Sequence, residues 1–162
     1  MIKTSKLATK VYKEHLAMFG EPSMTFNYKT SSSNRELGCP NHIQVLFWEP
    51  DNELNLTRFA TVGMSDQALD DEAHRTELHF SIVADLESPE IELCSQFITS
   101  IALSAFTSHK KFDWWTMVTT GSPVPLFTDS NQLLLHPAFV KDGWDTIESG
   151  DRVVKIMNLV AL

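Results

Sequence analysis

Apolar and polar positions along the chain follow two periods. Over residues 4–19, Leu7, Val11, His15 and Met18–Phe19 recur on one side of a helix, Lys6, Lys10 and Lys13 fall elsewhere, and Gly20 with Pro22 supplies the stop. Residues 24–28 predict a short strand, and the Ser-rich stretch from Thr30 to Pro40 a loop. His42–Trp48 is apolar and β-branched enough for a strand closed by a turn at Glu49–Asn52, and Leu56–Val62 predicts its antiparallel partner. Thr76–Val83 alternates: Leu78, Phe80 and Ile82 share a face for the core, and Glu77, His79 and Ser81 a face for water.

A second helix is predicted from Ser88 as N-cap, with Pro89 and acids in its first turn. Its apolar stripe runs through Leu93, Phe97, Ile98, Ile101, Ala102, Ala105 and Phe106. Trp114–Val118, Gln132–Leu135 and Val153–Leu159 predict three more strands, separated by Pro123-Val124-Pro125 and by turn chemistry at Asp142-Gly143 and Ser149-Gly150-Asp151. No repeat, linker or internal boundary interrupts residues 1–162, so a single domain is expected. Its class is α+β (mixed α/β), with one central, mostly antiparallel sheet of about six strands flanked by two main helices. The crossing made by the second helix allows one parallel pair.

Composition narrows the function. The 162 residues are 43% hydrophobic and 21% charged, as in an ordinary globular protein, and no apolar run approaches the ~18 residues of a membrane span. The N-terminus lacks the apolar stretch of a secretory signal, and two cysteines, Cys39 and Cys94, are too few for a disulfide framework; both point to the cytoplasm. The net charge is −8, and it is unevenly spread: Glu49 to Glu92 holds twelve acids against two bases, −10 in all. That excess disfavours a nucleic acid or an anionic membrane and suits a basic protein partner.

Catalytic and metal chemistry find little support. Gly63-Met64-Ser65 is half of a nucleophile elbow, but Gln67 stands where the closing glycine belongs and an acidic excursion follows where a helix is needed. Gly63-Met64-Ser65-Asp66 reads instead as a structural corner, with Gly63 at positive φ and the Ser65 and Asp66 side chains accepting backbone N–H groups. Cys39 and His42 form one ligand pair without a second, and His74 and His79 are spaced for opposite faces of a strand, so neither a metal nor a cofactor is expected. Trp114 and Trp115 read as core plus rim, or as core plus one exposed anchor at an interface.

The corner, Glu77-Leu78, the helix from Pro89, the Gly121–Pro125 loop, Leu133-Leu134-Leu135-His136-Pro137, Asp142-Gly143-Trp144 and the closing Val153–Leu162 resemble, in that order, the suppressor-of-fused-like domain. The resemblance implies a protein-binding function without catalysis. Stand-alone bacterial members are similar to immunity proteins, which bind and neutralise a toxin domain. On that reading this chain is an immunity protein whose partner is a cognate toxin, such as a basic nuclease, and a monomer is favoured. The expected contact residues are Asp51, Glu53, Asp66, Asp70, Asp71 and Glu72, gathered at one end of the sheet. Two alternatives remain: an adaptor that adds a partner peptide to a sheet edge, and a hydrolase using Ser65 with His74 or His79.

Overall fold

Helix α1, Lys6–Phe19, is set by its ends and by one apolar stripe. Ser5 holds extended backbone before it and accepts from the Ala8 N–H, while Gly20, at φ 82, returns its N–H to the Leu16 carbonyl. The stripe Leu7, Ala8, Val11 and His15 is buried. The structure, a computed structural model, describes residues 4–50, 55–69, 74–127, 129–137 and 143–162.

Among these residues the chain forms β1 (Met24–Lys29), the short helix α2 (Ser32–Glu36), β2 (His42–Trp48), β3 (Thr57–Val62), a single 3-10 turn at Met64–Asp66, β4 (Arg75–Ile82), α3 (Ser88–Thr107), β5 (Met117–Thr119), β6 (Gln132–Pro137), β7 (Thr146–Ser149) and β8 (Arg152–Ala161). They build one mixed sheet in the order β1-β2-β3-β4-β8-β6-β5, with β7 also paired to β8. Every named pair is antiparallel except β4 with β8, where Arg75 to His79 run alongside Val154 to Asn158. The α+β class and the mostly antiparallel sheet match the sequence reading. The strand count does not, because Thr146–Ser149 is too short and too mixed to announce itself and pairs only through Arg152–Lys155. No helix among the described residues is long and apolar enough to cross a membrane.

Both faces of the sheet are covered, and this corrects the expectation of a wet face. Ile43, Val45 and Phe47 of β2, Leu78, Phe80 and Ile82 of β4, and Met157 and Leu159 of β8 meet α3. The opposite face, with Leu46, Trp48, Ala60, Val62, Val154 and Ile156, meets Leu7, Ala8 and Val11 of α1. Glu77 and His79 therefore lie under α1, 0% and 4% exposed. Two local expectations also shift. The buried stripe of α3 is Ile91, Cys94, Ile98, Ile101, Ala102 and Ala105, and Leu93 faces outward. Its N-cap is Glu87 rather than Ser88, because the Glu90 carboxylate reaches back to accept the Glu87 N–H at 3.1 Å. The strand expected from Trp114 starts only at Met117, since Trp115 sits at φ 68, outside extended geometry.

Candidate functional site

The corner between β3 and β4 is organised by Glu77. This carboxylate is fully buried and accepts four hydrogen bonds: from the Gly63 N–H at 2.9 Å, the Ser65 N–H at 2.8 Å, the Ser65 hydroxyl at 2.9 Å and the Thr61 hydroxyl at 2.6 Å. Burial pushes its pKa from 4.5 up to about 7, against the pull of its Thr61, Ser65 and Gly63 donors. Thr61 in turn accepts the Leu78 N–H at 2.8 Å, which locks β3 to β4 through a side chain. Gly63 is required twice over: it stands at φ 109, and a Cβ there would lie 2.6 Å from the His42 carbonyl oxygen.

The side chains of the corner do not act as the sequence suggested. Ser65 donates to Glu77 instead of accepting a backbone N–H, and Asp66 accepts the Ser5 hydroxyl at 2.5 Å, fastening α1 to the corner. The outer wall is Arg75, whose guanidinium donates to the Ser65 and Asp66 carbonyls at 3.0 and 2.7 Å. A buried Ser65 engaged with a carboxylate lacks the exposed Oγ that the hydrolase alternative requires.

Farther along β4, His79 meets His15 of α1 with their Nε2 atoms 2.7 Å apart. The Val11 carbonyl can only accept, so His15 carries its proton on Nδ1, 2.8 Å away, and its Nε2 accepts from the Nε2–H of His79. Phe19, Trp48 and Trp144 enclose the pair, and Arg58 lies over Phe19 at 4.9 Å. Burial lowers the pKa of His15 from 6.5 to about 4 and that of His79 still more plainly, helped by His15 and Arg58. The Glu and His positions of β4 look like a solvated face in an alternating pattern, and nothing in that pattern says that α1 covers them.

Of the expected contact acids, Asp51, Glu53, Asp70, Asp71 and Glu72 lie outside the described residues. Asp66 is half-buried and occupied by Ser5. Among the described residues no three His, Cys, Asp or Glu side chains stand together as a metal site. Among the described residues both outermost strands of the sheet, β1 and β5, have an unpaired edge. Beside β5 Trp115 and Met117 are 63% and 56% exposed, whereas Trp114 donates its indole N–H to the Ile156 carbonyl.

The Suppressor of fused protein (SUFU) family matches residues 39–162, from just before β2 through β8 and including the Glu77 corner. The chain belongs to that family. Among solved structures, this SUFU domain is similar to a SUFU homologue from Neisseria gonorrhoeae FA 1090 at a TM-score of 0.70 and 13% identity, over 96% of this chain and 77% of that one. It is similar to the Sufu–Fu complex structure at a TM-score of 0.65 and 12% identity, over 99% of this chain and 77% of that one. Drosophila Suppressor of Fused aligns at a TM-score of 0.59 and 12% identity, over 96% of this chain but 40% of its own length. At these identities the likeness is one of fold. No curated protein is a significant match to the sequence.

Proposed function

We propose that this SUFU domain is a non-enzymatic, cytoplasmic immunity protein that binds and neutralises a cognate toxin domain. The observation that carries the reading is family membership joined to charge: a SUFU domain whose Glu49–Glu92 segment holds twelve acids against two bases. Glu77 is buried and Glu90 caps a helix, so the acids left to meet a partner are chiefly those of the connecting loops. Asp66, Asp70, Asp71 and Glu72 are the principal contacts, and Asp51 and Glu53 a second set. Charge of this kind complements a basic surface, such as a nuclease cleft, and acts more on association rate than on affinity.

Co-expression with the toxin domain encoded beside the gene is the test. Rescued growth and a co-purifying complex are expected, with binding weakened by salt and by charge reversal at Asp70, Asp71 and Glu72. Binding and salt dependence that survive that reversal would refute the acidic contact. A second reading, strand addition of a partner peptide, is favoured by the open β5 edge with Trp115 and Met117 beside it. It predicts that a short extended peptide from the partner suffices for binding.

A further inference from the structure

Helix α1 divides its face of the sheet, and on the β1 side it leaves a groove of about 760 Å³. That volume falls within the ~300–1,000 Å³ typical of ligand sites. Asn27 and Gln44 are cross-strand neighbours along it, with side chains 3.4 Å apart, and Asn41 adds a third amide. His42 lines the same groove, its Nε2 buried without a hydrogen-bond partner among the described residues. Each amide offers a donor and an acceptor, the pair of functions that a peptide main chain needs.

The charge of the groove opposes that of the protein. Lys6 projects from α1 and Arg152 from the start of β8, and among the described residues neither has an ion-pair partner. Lys29 stands opposite His42 in the β1–β2 register. Asp66, the one acid among the described residues that line the groove, is already held by Ser5. Leu69, three residues past Asp66, is buried in the core beneath α3. Among the described residues no Phe, Tyr or Trp lines the groove, which leaves none of them for a nucleobase to stack on.

We infer that this groove binds an extended acidic peptide segment, its carboxylates on Lys6 and Arg152 and its main chain on the amides of Asn27, Asn41 and Gln44. The inference does not rest on the toxin reading, although Asp66, one of the contact acids of that reading, lines the same groove. Fluorescence anisotropy with a short dye-labelled peptide of alternating Glu and Gly, beside a Lys–Gly control, tests it at low salt. The expected result is a preference of about tenfold or more for the Glu peptide, lost in the Lys6→Glu, Arg152→Glu double variant. Both side chains are exposed, so that variant should melt with the wild type. Asn27→Asp, at an exposed position of β1, should weaken binding without disturbing α1. In 15N NMR the side-chain amide signals of Asn27, Asn41 and Gln44 should move on titration. The inference is overturned by absence of preference, by binding that survives charge reversal, by unmoved amide signals, or by inorganic phosphate displacing the peptide at equal concentration, which would mark a site for a simple anion.

Discussion

Replacing Glu77 by Ala tests the corner directly. The carboxylate removed has four donors, and two of them, the N–H groups of Gly63 and Ser65, belong to a fixed backbone with no alternative acceptor in view. Stranding a buried N–H costs about 1–3 kcal/mol. The Ser65 and Thr61 hydroxyls can turn, so their share is smaller, and the total comes to about 3–5 kcal/mol, a large part of the ~5–15 kcal/mol that holds a domain together. Glu77→Gln keeps an acceptor toward Gly63 and Ser65 and turns its amide toward Thr61, so at pH 4.5 it should cost only about 1 kcal/mol. The two variants also separate by pH. A carboxyl raised from 4.5 to about 7 on folding contributes stability that is complete below 4.5 and lost as pH rises through 7. Wild type should therefore lose roughly 3 kcal/mol relative to Glu77→Gln across that window. Urea unfolding followed by tryptophan fluorescence, at several pH values between 4.5 and 7, measures both effects. An Ala variant within about 1 kcal/mol of wild type at pH 4.5, or a Gln variant with the same pH profile as wild type, would refute the account.

The histidine pair titrates with the opposite sign. Both rings are neutral in the fold with lowered pKa values, so stability is lost as pH falls from 6.5 toward 4; His15→Leu with His79→Leu should flatten that loss and move the acid midpoint, read by far-UV circular dichroism, to lower pH. Gly63→Ala should destabilise by about 2 kcal/mol or more, seen as a lower Tm, because the new methyl meets the His42 carbonyl and the backbone cannot relax to negative φ without breaking the Glu77 cradle. Reversing Asp70, Asp71 and Glu72 should leave Tm within a degree or two of wild type while slowing association with the toxin domain, measured by stopped-flow fluorescence at low salt.

Much of the fold was legible because its signals are local. The edges of β2 are written in His42 and Trp48, the stop of α1 in Gly20, and the start of α3 in its proline and acids. The crossing of α3 allowed for the single parallel pair but not for its partner, which is β8 and not β5, the strand that follows α3. What stayed hidden depends on contacts distant in sequence. Periodicity marked the stripe of α1 but not the face it would cover, so Glu77 and His79 read as wet when each is completed by residues far away, Thr61 to Ser65 for one and His15 for the other. The corner was recognised as structural while its organising residue was not, because a carboxylate twelve positions from Ser65 leaves no spacing rule to follow.

The position of β8 sets an order on folding. It stands between β4 and β6 and also carries β7, and it joins Arg75 to Val154, seventy-nine residues further on. Until Arg152–Ala161 has left the ribosome, β4 is a bare edge, and the hydrophobic residues beneath α1 lack Val154 and Ile156. A nascent chain stopped short of these residues would present a four-stranded template for other chains, the kind of surface that seeds aggregation. Closing so long a loop also raises contact order, so the refolding rate should be governed by docking of the last strand, not by formation of the hairpins that precede it.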